Sequence, residues 1–349
     1  MVVSATTHPT LLDYTRRQDP DKSIATIVET LAQTNEVLED MVHLEGNLET
    51  GHRTTVRTGL PAPTWRKLYG GVQPSKSETV QVTDTIGTME AYAEVDKQLA
   101  DLNGNTAAFR MSEDMAHLEG MNQEFASTLF YGDETTASEE FTGFLPRFNS
   151  STAESYENVL LGENYNDGTG ASGSNQTSIW LVVWGPNTCH GIYSKGSQMG
   201  LSKDDKGQVT IENASLTSTG SGSAVTTGGR MEAYRTHYKW CTGLSVRDWR
   251  YIVRMVVDSD QLGTSSTGAI VDLPEMMSDA CELIPSLSAG RASFYCNRKV
   301  KQTLRRQFVD KVKQSTLAMD EIGGRSTLTF DGIPIRKVDA LTLTEAVVS

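Results

Sequence analysis

Apolar residues recur along this chain with two different periods, and the changes of period divide it into parts. From Ser23 onward, Ile24, Val28, Leu31, Asn35, Leu38 and Val42 follow at alternating steps of four and three. That spacing lines one face of a helix running to about Leu48, with Asn35 as a polar interruption. Met111, Met115, Leu118, Asn122, Phe125 and Leu129 repeat the spacing. They predict the clearest helix of the chain, residues 112–131, about 30 Å long. Ser112 is its expected N-cap, Glu113 and Asp114 suit the positive end, and Gly132 closes it. Gly120 in its interior costs about 1 kcal/mol against alanine, so close packing would be a reason to keep it.

Between those helices the period changes to two. Residues 52–58 and 79–85 are β-prone, and between them lie Pro61, Pro63, Trp65, Tyr69, Gly70, Gly71 and Pro74. The reading is an extended two-stranded loop with an irregular tip, followed by a strand at 89–99 that returns to the body. A loop of this length inside a compact domain usually reaches out to something.

After Phe148 the pattern is an α/β mixture. Residues 179–184 read as a buried strand ended by Gly185-Pro186-Asn187, and 202–229 as a surface hairpin or flap. Residues 231–240 alternate, with Tyr234, Tyr238 and Trp240 on one face, and 246–257 is strongly apolar. Asp272 to Glu275 has capping-box spacing and leads a helix carrying Met276, Met277, Ala280 and Ile284. Residues 294–296 suggest a strand, and 297–318 a basic helix with Val300, Leu304, Phe308 and Val312 every four residues. Two short strands around Asp331-Gly332 end the pattern. One echo runs through it: Glu39 to Gly46 (EDMVHLEG) and Glu113 to Gly120 (EDMAHLEG) agree at seven of eight positions. Their flanks differ, so this is no solenoid repeat, and both copies are expected in helices.

Charge sharpens this division. The 349 residues carry a net charge of −13, which gives no general attraction for phosphate backbones. That argues against sequence-reading nucleic-acid binders, though a container filled with DNA by a motor is not excluded. Residues 1–50 hold nine acidic and three basic side chains. Residues 51–77 reverse the sign, with Arg53, Arg57, Arg66, Lys67 and Lys76 and no acid. From Arg291 to Lys313 there are eight basic residues and one acidic. Such a run is either a solvated face or a contact for an acidic neighbour, for which residues 1–50 of another subunit are one candidate. No long apolar run and no basic-then-apolar start is present, so neither a membrane span nor a secretory leader is expected.

Candidate chemistry is sparse. Cys189, Cys241, Cys281 and Cys296 form no CxxC pair and read as free thiols. The GxGxxG spelling at 168–173 lacks the strand before it and the helix after it that a dinucleotide site needs. No HExxH occurs, and His43/Glu45 and His117/Glu119 are two apart, which on a helix points them in different directions. No catalytic, cofactor-binding or metal-binding residue is expected.

The order of parts is the most informative feature. An acidic arm, a basic protruding loop, a long helix and an α/β body, in that order, resemble the Hong Kong 97-type capsid fold. Several runs also resemble the major capsid proteins of short-tailed phages of the epsilon-fifteen kind. They are Trp65 to Val72 (WRKLYGGV), Phe125 to Asp133 (FASTLFYGD), Phe141 to Phe144 (FTGF), Gly243 to Asp248 (GLSVRD), Phe294 to Arg298 (FYCNR) and Phe330 to Arg336 (FDGIPIR). The resemblance covers most of the chain from about residue 24.

It implies an α+β fold with an N-terminal arm (1–50), an extended E-loop (51–87), a return strand and spine helix (88–138), and remaining peripheral and axial parts (139–349). It implies a non-enzymatic subunit of hexamers and pentamers that close into an icosahedral shell around double-stranded DNA, assembled in the bacterial host cytoplasm. A separate scaffolding protein, a cement or decoration protein and a portal would be its partners, and no membrane. The contacts expected between subunits are Arg53, Arg57, Trp65, Arg66, Lys67, Tyr69 and Lys76. The founding relative cross-links lysine to asparagine; Lys67 and Lys76 are the only loop lysines for that, and nothing in the sequence faces them with a partner. Two alternatives remain: another phage structural or decoration protein, and a soluble α/β hydrolase.

Overall fold

The computed structural model describes residues 9, 11–17, 31–162, 175–214, 229–262, 271–309, 317–322 and 325–348. Its elements run α1 (Leu11–Arg16), α2 (Val37–Asp40), β1 (His43–Glu45), β2 (Gly51–Gly59) and β3 (Glu78–Asp96). Then come α3 (Lys97–Ala100), α4 (Thr106–Tyr131), β4 (Val159–Leu161), β5 (Gln176–Trp184), β6 (Cys189–Tyr193), β7 (Leu201–Ala214) and β8 (Gly229–Val246). The last are β9 (Ile252–Asp258), α5 (Leu273–Leu283), β10 (Arg291–Cys296), α6 (Arg298–Val309), β11 (Leu317–Ile322), β12 (Arg325–Phe330) and β13 (Ile333–Lys337). They fall into two compact units, the smaller drawn from residues 1–33, 88–124 and 200–240 and the larger from 34–87, 125–199 and 241–349.

The larger unit is organised by β5, whose nine residues are all buried. It pairs antiparallel with β9 on one side and β10 on the other, with Leu181 opposite Val253 and Phe294. β13 continues the sheet parallel to β10, and β12 and β11 follow it antiparallel. A strand enclosed on both faces reads as a continuous apolar run, which is how 179–184 stands in the sequence. Its two faces differ in chemistry. Ile179, Leu181 and Val183 join one apolar cluster with Met276, Met277 and Ala280 of α5 and Val300 and Leu304 of α6. Trp180 and Trp184 face the opposite way, into an aromatic layer with Phe130, Phe144, Phe148 and Tyr295.

That second face holds a buried charge. Arg254 of β9 is fully buried, its guanidinium 5.7 Å from the centre of the Trp180 ring. It donates to Glu345 Oε2 at 3.1 Å, Ser178 Oγ at 2.9 Å, the Phe148 carbonyl at 3.0 Å and Asn149 Oδ1 at 3.0 Å. Glu345 also accepts from Ser178 and, at 2.7 Å, from Tyr131 at the end of α4. The network ties the chain's last segment to the sheet, because an ion pair in such surroundings survives only with its remaining hydrogen bonds made.

In the smaller unit β7 and β8 form a hairpin, from Leu201↔Trp240 to Ala214↔Gly229. The hairpin expected within 202–229 thus takes its second strand from the alternating 231–240 stretch, and 215–228 lie outside the described residues. β8 also pairs with β3. Across that pair Arg235 meets Glu94 at 2.6 Å, and His237 meets Glu90 at 3.1 Å while stacking on Tyr92. The first half of α4 is fastened by ion pairs from Arg110 to Asp205 (2.6 Å) and from Asp114 to Lys203 (3.0 Å). Tyr14 of α1 packs edge-on against Phe109 and donates to the Leu102 carbonyl.

Several expectations are corrected. The helix expected from Ser23 to Leu48 is, in its described part, a single turn at Val37–Asp40 followed by strand β1; Ile24 and Val28 lie outside the described residues. The expected return strand at 89–99 is no separate element but the end of the continuous β3, with Lys97–Ala100 a helical turn. Helix α4 has 26 residues and begins six positions before Ser112, which lies inside it and bonds back to the Phe109 carbonyl at 2.8 Å. Met111 and Met115 of the expected apolar stripe are 65% and 60% exposed, because Asp114 and Met121 occupy the inward side there; Phe125 and Leu129 are buried as expected. The basic helix is described from Arg298 to Val309, and Leu317 and Ala318, expected at its end, belong to strand β11; Val312 and the side chain of Phe308 lie outside the described residues, as does the glycine-rich 168–173. Gly120 has open space around it, so close packing within the subunit does not explain it.

Two outcomes follow for the unassembled subunit. Arg254→Met should cost about 3–5 kcal/mol by leaving Glu345 buried without its charge partner, read by denaturant titration. Gly120→Ala should raise stability by about 0.5–1 kcal/mol, since the helix gains propensity and the added methyl meets nothing.

Candidate assembly surface

Strands β2 and β3 form an antiparallel ribbon, from Gly51↔Thr85 to Gly59↔Glu78, with a register shift between Arg57 and Gly59. The 18 residues between them carry three prolines, which cannot donate to a ladder. Two hydrogen bonds shape this tip: Gly70 N–H to the Lys67 carbonyl (3.1 Å) and Ser75 Oγ to the Ala62 carbonyl (3.2 Å). All seven contact residues expected from the sequence, Arg53, Arg57, Trp65, Arg66, Lys67, Tyr69 and Lys76, are exposed on this ribbon. Trp65 and Tyr69 are as open as in a free peptide, at 104% and 102%, and Leu60 and Leu68 are nearly so. Sequence reasoning passed over those two leucines; the available signal was apolar residues without either period in a proline-rich stretch.

Tyr69 occupies the third position of the Lys67–Gly70 turn with φ at 65°. That left-handed conformation suits glycine and costs a tyrosine about 1–2 kcal/mol. A bulky aromatic held there with no contact inside its own subunit marks a position kept for something other than the subunit's stability.

The root of the ribbon is held by buried polar contacts. Buried Asp84 accepts from Arg147 at 2.9 Å and from Ser245 Oγ at 2.8 Å. Asn47 and Arg53 exchange two hydrogen bonds of 2.7 Å, from Asn47 Nδ2 to the Arg53 carbonyl and from Arg53 N–H to Asn47 Oδ1. At Gly51 an added Cβ would lie 2.4 Å from the Asp84 carbonyl oxygen, so only glycine lets the two strands close here. His52 sits beside them, with Nδ1 facing the Asn47 N–H at 3.3 Å, Nε2 facing Arg247 at 3.4 Å and its ring against that of His190. Burial and the Arg247 charge hold the His52 imidazole below its usual value, against the pull of Asp84. Burial, Arg247 and His52 bring His190 down to about 4. No sequence motif marked this root, because its members come from five separate segments.

Seen alone, this is a stiff arm with an apolar, cationic and wholly uncovered end. The profile of the major capsid protein GP7 family matches residues 19–349. The chain belongs to that family. It is also similar to a chain of the bacteriophage epsilon15 structure, at 37% identity and TM-score 0.77 over 100% of both chains. A chain of the bacteriophage JBD30 capsid is a distant likeness, at 10% identity and TM-score 0.45 over 90% of this chain and 93% of that one. Comparison with curated proteins finds no match. The fold is the α+β Hong Kong 97-type capsid fold, with the β2–β3 ribbon as its E-loop and α4 as its spine helix. This capsid protein is a structural subunit of a phage virion, not an enzyme, and assembles through hexamers and pentamers into an icosahedral shell.

The histidines make the root of the E-loop sensitive to acid. Both have folded values below the ordinary value of about 6.5, so the unfolded chain binds more protons and stability falls as pH drops from there toward 4. Melting of the unassembled capsid subunit between pH 7.5 and 4.5 should therefore show a steeper decline for the wild type than for His190→Gln. Equal slopes would mean that His190 carries none of the effect.

Proposed function

We propose that the E-loop tip of each capsid subunit lies over a neighbouring subunit of the same hexamer or pentamer and clasps it there. The observation that carries this reading is the full exposure of Trp65 and Tyr69 at the end of an anchored ribbon. Isolated subunits rarely leave such aromatics uncovered in a cluster, and covering them regains about 25 cal/mol per Å² of apolar surface. Arg53, Arg57, Arg66, Lys67 and Lys76 then steer the tip toward an acidic face of the neighbour, and their worth lies in orientation more than in affinity. Many such contacts, each weak, add through multivalency to a stable shell.

The arm's acids supply little of that face in their described part. Asp40 meets Arg336 at 3.0 Å and Arg291 at 2.6 Å within its own subunit, and Glu36 and Glu39 also face Arg336. The apolar tip therefore carries more of the contact than charge pairing with residues 1–50.

The same reading divides the chain into arm (1–50), E-loop (51–87), return strand with spine helix (88–138) and the peripheral and axial remainder (139–349). A separate scaffolding protein, a cement or decoration protein, a portal and packaged double-stranded DNA held without sequence reading complete the set of partners, with assembly in the host cytoplasm. The net charge of −13 fits DNA that is confined and not bound.

Trp65→Ala with Tyr69→Gly should leave the melting of the unassembled subunit unchanged or slightly raised, since no contact is lost and φ strain is relieved. Shell yield by electron microscopy should fall. Reversing Arg53, Arg57 and Arg66 to Glu should slow assembly most at low salt, with subunit stability moved by no more than about 0.5 kcal/mol. Normal shells from both variants would refute the clasp.

A further inference from the structure

Helices α5 and α6 cover the same face of the central sheet and contribute to one apolar cluster, yet their solvent sides carry opposite charge. Helix α5 holds Glu275, Asp279 and Glu282 and no basic residue. Helix α6 holds Arg298, Lys299, Lys301, Arg305 and Arg306 and no acidic one. No ion pair joins the two helices among the described residues. Between α6 and β13 opens a groove of about 530 Å³ lined by Arg298, Lys301, Gln302, Arg305 and Lys337, with Glu36 as its one acid. Arg298 and Lys337 reach Asp339 at 2.8 and 3.7 Å, and Lys301 donates to the Ile335 carbonyl at 2.7 Å. Arg305 has no acidic partner among the described residues. Burial, with the charges of Arg305 and Lys337 adding to it, holds Lys301 below the usual ammonium value, against the opposing pull of Cys296 and Glu36. The groove is thus short of negative charge in the isolated subunit.

The spacings are complementary. Arg298, Lys301 and Arg305 step by three and four along α6; Glu282, Asp279 and Glu275, taken in reverse, step by three and four along α5. Each row covers about 10 Å of helix. Laid antiparallel, the rows place Arg298 against Glu282, Lys301 against Asp279 and Arg305 against Glu275. The helix ends agree with this arrangement. Glu282 lies in the last turn of α5 and Arg298 in the first turn of α6, each the wrong sign for its own helix dipole. Bringing these two ends together relieves both.

We propose that the basic groove along α6 of one subunit receives the acidic face of α5 from a second copy of this chain, antiparallel, as a head-to-tail contact repeated around each hexamer and pentamer. One subunit carries both halves of the contact on different elements, α5 over β9 and α6 over β13, and such heterologous contacts close into rings. A nucleic acid would also suit the groove's charge, but it would leave the acidic row of α5 unmatched and its spacing unexplained. The contact is independent of the E-loop tip, and variants of the two surfaces disturb different interfaces.

The test is a charge exchange in the full-length chain, produced with whatever assembly factors the wild type needs. Arg305→Glu and Glu275→Arg each place like charges opposite one another and should lower shell yield by about tenfold or more, as a repeated contact amplifies a small loss. Thermal melting of the unassembled subunits should stay within a few degrees of the wild type, separating assembly from folding. The double variant R305E/E275R should regain most of the yield, whereas R305E/E282R, which pairs positions out of register, should not. Equal yields from R305E, E275R and the wild type would overturn the proposal, as would a double variant no better than either single one. Normal empty shells from R305E that package less DNA would overturn it in favour of a nucleic-acid groove.

Discussion

Strand β5 has no side turned to solvent, and the rest of the larger unit is arranged to satisfy that condition. Its small aliphatic face takes two helices, while its tryptophan face takes the end of the spine helix and the aromatic segment after it. The tryptophan face is also where the charge is buried. Arg254 lies over Trp180 and reaches Glu345, so the final segment is bound to the middle of the sheet by an interaction that leaves no partner dispensable. Because Glu345 also accepts from Tyr131, the same carboxylate ties the last residue of the spine helix to the final segment. A rigid body of this kind is what a shell subunit needs if its protruding parts are to meet neighbours in one geometry.

The E-loop shows the opposite distribution of order. Its root is held by Asp84, Arg147, Ser245, Asn47 and His52 from several segments, whereas its tip keeps only two local hydrogen bonds. Stiffness at the root lowers the entropy lost when the tip is captured, and the exposed Trp65 and Tyr69 supply area to be covered. Tyr69, held at positive φ, belongs to that division of labour: the subunit accepts a local cost so that an aromatic side chain stands outward.

Charge is handled in two ways. The acidic turn at Glu36, Glu39 and Asp40 is neutralised by Arg291 and Arg336 of its own subunit, and Asp40 also receives the Tyr295 hydroxyl. That burial beside a carboxylate pushes the Tyr295 phenol well above its usual range. Among the described residues, the rows on α5 and α6 form no ion pair with each other; Arg298 reaches Asp339, while Arg305 has no acidic partner. Surface ion pairs contribute little singly, so two rows of opposite sign and matching spacing make more sense as a repeated, registered contact than as stabilisers of one subunit.

Elements whose own side chains decide the matter were legible in the sequence. The apolar run of β5, the Asp331-Gly332 turn with both residues at positive φ and the uncovered basic loop all stand where local chemistry puts them. Helix α5 starts where expected, with Pro274 in its first turn but without the side-chain cap hydrogen bond expected of Asp272. The order of acidic arm, basic loop, long helix and α/β body was enough for the family. What local pattern left undecided is plainest in the repeated octapeptide. Glu113 to Gly120 lies wholly inside the spine helix, where residues before and after it continue the turn. Glu39 to Gly46 leaves its single helical turn at Met41 and becomes β1, because β6 offers its edge there, pairing His43 with Gly191 and Glu45 with Tyr193. Beyond the first two residues, which are helical in both, identical residues thus take two structures, since a three-residue strand draws its hydrogen bonds from a distant segment and not from its own sequence. The histidine root of the E-loop and the burial of Arg254 are of the same kind. The sequence alone determined which stretches are apolar, charged or bent; only the tertiary structure decided which distant groups complete each buried polar site, because those partners lie tens to hundreds of residues apart.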